Sequence, residues 1–399
     1  MRLLLLIGMT FLSAGSAYAD DVWRRHTIDD SSRGADGVRL TDINGDGLLD
    51  ITTGWEEGGI VRVYQHPGYA KSRSKWPAVT IGQVAAPEDA VFADLDNDGA
   101  LDVISSCEGK TRTMFVHWAP SDAKDNLNAS AWSTAAIPVT QNRAQWMFCV
   151  PAQIDGKHGV DLIVGSKGKQ GLIGWLQAPD DPRQLDQWKL HTICPAGWIM
   201  SLIWTDIDGD GNHDILASDR RGAGRGCFWL KHPGHDGPLT KPWTKHPIGT
   251  GNREVMFLDD ADVDGDGLND VLVPNKPGQI LWHRRQPGKQ VAWETSQIPF
   301  PKNVGTGKST AIADINNDGR ADIVLSFENA KNVSGIVWME QHQTDAGEIT
   351  WQQHTLSGPT GTKFDLIQTI DIDGDGDLDV MTCEERENLG VIWYENPGQ

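Results

Sequence analysis

The sequence predicts an all-β protein, a seven-bladed β-propeller closed by pairing of an N-terminal strand with the C-terminal blade. Three observations predict it. An Asp-rich nonapeptide recurs at nearly even spacing along the 399 residues. Short alternating or β-branched runs such as DILAS, GIVRVY and GVIWY, bounded by Gly, Asp, Asn and Pro, flank the copies. A Trp-x-x-His element that closes several of the repeated units also stands near the start of the chain, with no unit before it.

The chain begins with MRLLLLIGMTFLSAGSAYA. Arg2, the apolar run from Leu3 to Leu12 and the small-x-small triplet Ala17-Tyr18-Ala19 together read as a cleavable signal peptide over residues 1–19. The propeller is expected over 20–399. No other segment is apolar enough to span a bilayer. The protein is therefore expected to be exported, to the periplasm or beyond the cell, and to be a monomer. Five cysteines (Cys107, Cys149, Cys194, Cys227 and Cys383) are too few for a disulfide-built scaffold. Most are expected to be buried thiols, with room for one bridge. The formal charge of −20 argues against a nucleic-acid partner, because a polyanion would be repelled.

The nonapeptide has the form D-x-[DN]-x-D-G-x-x-D. It occurs as DINGDGLLD (42–50), DLDNDGALD (94–102), DIDGDGNHD (206–214), DVDGDGLND (262–270), DINNDGRAD (314–322) and DIDGDGDLD (371–379). A seventh copy, QIDGKHGVD (153–161), has decayed. The seven starts lie 52 to 59 residues apart, the mark of a repeat protein. Side-chain oxygens at positions one, three, five and nine, with a backbone carbonyl near position seven, can converge on one point. Glycine at position six permits the sharp turn. Six to eight oxygens at flexible geometry suit Ca²⁺ better than Mg²⁺.

The expected ligands are Asp42, Asn44, Asp46 and Asp50; Asp94, Asp96, Asp98 and Asp102; Asp206, Asp208, Asp210 and Asp214; Asp262, Asp264, Asp266 and Asp270; Asp314, Asn316, Asp318 and Asp322; and Asp371, Asp373, Asp375 and Asp379. These positions hold 22 carboxylates, so six Ca²⁺ ions would bring −20 to about −8. In the seventh copy Gln153 and Lys157 stand for carboxylates and His158 for the glycine. No ion is expected at 153–161, and the Lys157 ammonium is expected to replace the missing charge. Each loop lies between two strand-like runs rather than two helices, which points to structural clamps and not to sensor sites.

Each unit then reads as four strands. One leads into the Asp loop, and a second leaves it. A third often ends in Trp and Pro, as in GWLQAP, FWLKHPG and VIWYENPG. The fourth is W-x-x-H-x-I or a relative: WPAVTI, WSTAAI, WKLHTI, WTKHPI, WETSQI or WQQHTL. Four antiparallel strands repeated seven times make a propeller. The last unit runs out after its third strand, so VWRRHTI (22–28) is expected to supply the fourth and close the ring. The tryptophans read as packing between blades, with a carbohydrate platform as the sharper alternative. His26, His191, His246 and His354 read as structural side chains.

The Asp loops make residues 20–399 resemble the FG-GAP/VCBS repeat family, the calcium-bearing propellers also seen in integrin α heads and in some fungal lectins. That resemblance implies the fold and the calcium, and it says little about function. The runs GWEEGG…VYQHPG and CEERENLGVIWYENPGQ resemble the propeller of fungal aldos-2-ulose dehydratase, which implies carbohydrate chemistry.

Function is expected on the face opposite the Asp loops, where the turns between second and third strands meet the segments leading into each first strand. Those segments are charged. The candidate residues for a ligand funnel are Asp36, Glu56, Glu57, Asp89, Glu108, Arg112, Lys167, Arg220, Arg221, Glu254, Lys276, Lys308, Glu328, Glu384 and Arg386, with Gln145, Lys363 and Asp365 leading into neighbouring strands. A mixed-sign polar funnel suits a glycan or another small polar ligand. Three readings follow: a carbohydrate-binding propeller, which the sequence favours; a carbohydrate lyase or dehydratase; and a protein-interaction scaffold. No histidine stands at these positions, and no Ser/His/Asp constellation, phosphate loop or zinc spacing is present.

Overall fold

The computed structural model describes residues 22–249, 251–276 and 278–398; the expected signal peptide lies outside them. Seven antiparallel sheets follow one another along the chain. Blade 1 is Ala35–Thr41, Asp50–Trp55, Ile60–Tyr64 and Ala78–Gly82. Blade 2 is Pro87–Ala93, Asp102–Cys107, Met114–Trp118 and Ser133–Ala136. Blade 3 is Gln145–Ala152, Asp161–Lys167, Leu172–Gln177 and Lys189–Pro195. Blade 4 is Ile199–Thr205, Asp214–Asp219, Gly226–Lys231 and Thr244–Ile248. Blade 5 opens with a broken strand, Glu254–Val255 and Asp259–Ala261, followed by Asp270–Lys276, Gln279–Gln286 and Ala292–Pro299. Blade 6 is Thr306–Ala313, Asp322–Glu328, Ile336–Gln343 and Ile349–Thr355.

Blade 7 contains Gln368–Ile370, Asp379–Glu384 and Gly390–Glu395, and its fourth strand is Arg24–Asp29 from the other end of the chain. The register pairs Arg24 with Glu395, His26 with Trp393 and Thr27 with Ile392. The ring thus closes by the strand that the sequence left over, and no blade is left with an unpaired third strand.

The apolar core is divided into seven clusters, one at each blade interface. Val61, Val63 and Ile81 of blade 1 meet Val103 and Cys107 of blade 2, and the pattern repeats around the ring to Met381 and Trp393 of blade 7 against Ile51 and Trp55 of blade 1. Each face of a blade is therefore buried by its neighbour. This explains why second strands such as Asp50–Trp55 and Asp102–Cys107 are buried at every residue and read as continuous rather than alternating runs.

The Trp-x-x-His element has two packing roles. The indole N–H at its start reaches back to the connection before it, as in Trp76 to the Ser72 carbonyl, Trp132 to Asn126, Trp188 to Pro182 and Trp243 to Leu239. The histidine stacks on the third-strand tryptophan of its own blade, His246 on Trp229 at 4.3 Å and His354 on Trp338 at 4.3 Å between ring centres. All five cysteines are free thiols, four of them buried, so the single bridge for which the sequence left room is not formed. Among the described residues no helix is long and apolar enough to cross a membrane.

Deleting the closing strand tests this arrangement. A chain starting at residue 30 loses buried Trp23, His26 and Ile28 and bares the edge of Gly390–Glu395. It is expected to lose on the order of 5 kcal/mol of stability and to self-associate through that edge. Denaturant unfolding and size-exclusion chromatography measure both; an unchanged, monomeric protein would show that closure by this strand is dispensable.

Candidate functional site

Two sets of charged residues occupy opposite ends of the ring. The Asp loops join first to second strands at one end. At the other, the leading segments of the first strands and the ends of the second strands surround the axis.

In each intact loop the first Asp turns the chain by accepting backbone N–H groups. Asp42 Oδ1 accepts from Gly45 at 2.7 Å, and its Oδ2 accepts from Gly47 at 2.8 Å. Asp206 and Asp262 do the same with Gly209, Gly211, Gly265 and Gly267. Position six lies at φ of +84° to +97° in the intact loops, which is why glycine stands there; His158 is forced to +52° in the decayed copy. The carboxyls at positions one, three and five gather in trios: in Asp94–Asp96–Asp98, Asp206–Asp208–Asp210 and Asp262–Asp264–Asp266, one oxygen from each lies within 4.8 Å of the others. Buried oxygens of Asp94, Asp208, Asp264 and Asp373 have no hydrogen-bond partner. A basic side chain also stands against several loops: Lys231 pairs with Asp208 and Asp210, Arg284 with Asp264, and Arg183 with Asp96.

The ninth position behaves differently. Asp50 is fully buried and accepts the N–H of Ile43 at 3.0 Å and of His66 at 2.8 Å. One bond reaches into the loop and the other reaches the residue beyond the third strand. A matching bond recurs in all seven blades, to Ala119, Ala178, His232 and Asn396 just past the third strand and to Arg285 and Gln341 near its end. The ninth aspartate is thus a staple across three strands.

The decayed loop keeps that staple in Asp161 and closes by itself. Gln153 Oε1 accepts from Gly156, while its amide N–H₂ donates to the carbonyls of Lys157 at 3.2 Å and Gly159 at 2.7 Å. The Lys157 ammonium, expected to replace the missing charge, stands 3.9 Å from the remaining carboxylate Asp155, and the Gln153 amide closes the loop beside it.

At the opposite end lies a cavity of about 330 Å³ lined by all seven blades. Of the fifteen funnel candidates, Asp36, Glu56, Asp89, Glu108, Lys167, Arg220, Lys308, Glu328 and Arg386 line it. Lys167 pairs with Glu108 and stands 3.4 Å from Glu88; Lys308 stands 3.4 Å from Asp365. Glu254 and Lys276 stand behind the wall and hold Arg220 at 2.9 Å and Glu328 at 2.8 Å. Asp89 holds Arg39 at 2.9 Å. Three candidates point elsewhere: Glu57 pairs with Arg33 at 3.0 Å on the outside, Arg112 bonds the Arg143 carbonyl, and Arg221 lies over the Trp198 ring.

Glu384 is the clear miss. It is wholly buried and folds its own turn, accepting N–H groups of Thr362, Lys363, Arg386, Glu387 and Leu389. Its neighbour Glu385 pairs with Lys363 and joins the axial group instead. The sequence reading also left out Glu88, Trp198, Phe148 and Phe257, which line the cavity. Trp198 and Phe257 directly precede or interrupt a first strand, a position that sequence alone marks no more than any other core aromatic.

Burial sets the charge states here. It pushes the Asp36 carboxyl well above its ordinary range, with the nearby Asp365 charge adding to the effect. Burial raises Glu88 strongly against the pull of Lys167 and raises Glu385 to about 8 against Lys308. For Asp365 the same burial is outweighed by Lys308, by a hydrogen bond from Asp36 and by Lys363, and its pKa falls. Lys308, although buried, is held charged by Asp365, Glu385 and Asp36. Neutral and ionised carboxyls therefore face one space. The aromatic walls are already covered: Lys167 and Arg220 lie 4.5 and 4.6 Å from the Trp198 ring centre, Arg39 lies 4.4 Å from Phe148, and Lys308 lies 5.3 Å from Phe257.

A family model described as FG-GAP-like repeat matches residues 42–105 and 262–325, each running from an Asp loop into the next elements. The chain carries FG-GAP-like repeats. A T-cell immunomodulatory protein homolog of Plasmodium yoelii yoelii is similar, 23% identical over 251 residues, covering 56% of this chain and 36% of that protein. The chain thus spans about a third of the relative's length. Two crystal structures of BBS1N in complex with ARL6DN, soaked with mercury and with lead, superpose with TM-scores of 0.54 and 0.55. They cover 94% and 95% of this chain and 98% of theirs at 10% identity, a likeness of fold alone.

The role of Glu384 is directly testable. Replacing it with alanine leaves several buried N–H groups unanswered and is expected to cost about 3 kcal/mol or more. Glu387→Gln, next to it on the surface, is expected to cost less than about 0.5 kcal/mol. Urea unfolding of both variants checks the contrast.

Proposed function

We propose that this protein is an exported, calcium-stabilised propeller that binds a small polyhydroxylated ligand, a carbohydrate, in the axial cavity. The observation that carries the reading is the mixture of groups around that cavity: neutral carboxyls that donate, ionised ones that accept, and ammonium and guanidinium groups, all within one 330 Å³ space. A sugar hydroxyl both donates and accepts and is recognised by such alternation. Because cations already lie on the aromatic faces, recognition rests on hydrogen bonds rather than on ring stacking. With Asp36 and Glu88 neutral, the lining is close to balanced, which favours a neutral sugar over an acidic one.

The intact loops suit Ca²⁺: three of them gather a carboxyl trio within reach of one ion, four leave a buried oxygen unpartnered, and all six offer oxygen at positions one, three, five and nine. The ion would bind positions one, three and five, with the ninth aspartate able to lend a further lone pair from beneath. The leader sequence supports export, and millimolar calcium outside cells would saturate such sites.

A second reading, a carbohydrate lyase or dehydratase, is favoured by the juxtaposition of neutral Asp36 with ionised Asp365, an acid and a base at one wall. A new product absorbing in the ultraviolet on incubation with oligosaccharides would establish it.

Chelation is expected to lower the thermal midpoint, and added Ca²⁺ to restore it; Asp266→Ala should reduce bound calcium by one ion per chain, whereas Lys157→Ala should not change it. For the cavity, calorimetric titration of sugars identified on a glycan array should give about tenfold weaker binding for Lys167→Gln, the loss of one charged hydrogen bond. An array without hits, together with a protein that co-purifies, would replace this reading with that of an interaction scaffold.

A further inference from the structure

We propose that Asp36 is the centre of a separate site for a hard divalent cation inside the axial cavity, at the end of the ring remote from the Asp loops. Two trios of carboxyls share this residue. Asp36, Glu56 and Glu88 bring one oxygen each within 4.8 Å of one another, and so do Asp36, Asp365 and Glu385. Blades 1, 2 and 7 thus direct five carboxyls toward one side of a closed ring.

Ordinary hydrogen bonding does not account for them. Glu385 is 8% exposed, yet its Oε1 has no hydrogen-bond partner, while Asp365, 1% exposed, has its Oδ2 3.4 Å from the Lys308 ammonium. Such a buried orphan is costly and calls for a ligand. The local ammonium groups are too few. Lys167 serves Glu88 and Glu108, Lys308 serves Asp365, and Lys363 serves Glu385, three cations against six carboxyls. Asp36 and Glu56 have no basic partner within ion-pair distance among the described residues.

The ligand set of both trios is oxygen only. That selects Ca²⁺, Mg²⁺ or Mn²⁺ over zinc or copper. It also distinguishes the site from the loops, where the carboxyls come from one short turn; here they come from three blades, so the ion would pin the ends of the seam between blades 7 and 1. Resting on the reading that the cavity takes polyols, the ion's remaining coordination positions would be filled by a pair of sugar hydroxyls.

Manganese is the probe. The full chain is stripped with chelator, dialysed against Mn²⁺, and its bound metal counted per chain beside Asp36→Asn, a substitution of nearly the same shape. The variant is expected to hold one ion fewer than the unaltered protein; equal counts would overturn the proposal. Crystals of the unaltered protein soaked in Mn²⁺ provide a measurement independent of any variant. An anomalous peak between Asp36 and Asp365 or Glu56 is expected, and peaks confined to the Asp loops would refute it. No sugar is present in either experiment, so failure here and failure of sugar binding are separate results.

Discussion

A single buried carboxylate at the base of each Asp loop holds the blade together. The ninth aspartate starts the second strand, accepts an N–H from the end of the third strand or just past it, and in most blades accepts another from the loop itself. It is 0–1% exposed in all seven blades. A buried charge of this kind survives only where its oxygens are answered, so it fixes the hairpin geometry that brings the carboxyls above it together. The decayed blade makes the point by contrast. There two of the upper ligands have gone, a glutamine amide has taken the centre of the loop, and the aspartate beneath is still in place. Cation binding is thus an addition to a backbone device that does not need it.

Ring closure converts these local devices into a site. Each interface cluster buries one face of two blades, and residues 24–29 complete the last sheet and add Ile28 to the cluster between blades 7 and 1. Once the circle is shut, the first strands are held around the axis and their leading segments must share a narrow space. Charges that would be solvated on an open sheet edge are pressed together and partly dried. The pairs Lys308–Asp365 and Lys167–Glu108, the cations stacked on Trp198 and the raised carboxyl of Asp36 all follow from that confinement.

Much of the architecture was legible in the sequence because it is periodic. The spacing of the Asp loops fixed seven units, and the unmatched VWRRHTI identified the closing strand. The tryptophans and histidines of the third and fourth strands were legible as packing because they recur at one place in the blade, whereas Trp198 lines the cavity. The cavity was legible only in outline. Glu384 and Glu385 are adjacent and chemically alike, and nothing in the sequence says which one turns inward to tie down five backbone N–H groups. Glu88 lay one residue from a chosen candidate, and an irregularity in the strand between Pro87 and Asp89 lets both neighbours face the cavity. The break in the first strand of blade 5 arises where Phe257 leaves its own sheet to bond Lys308 of the next blade, a contact between residues 51 apart in sequence. Gln153 resembled a lost ligand, and only geometry revealed an amide reaching two carbonyls.

The most direct test of the aspartate staple uses the blade in which no cation competes for the explanation. The unfolding free energy of Asp161→Ala would be measured against the unaltered chain, once in calcium and once in chelator. The account predicts a loss of about 3 kcal/mol or more in both media, because the N–H groups of Ile154 and Ala178 are stranded either way. A loss below about 0.5 kcal/mol, or one seen only when calcium is present, would contradict it.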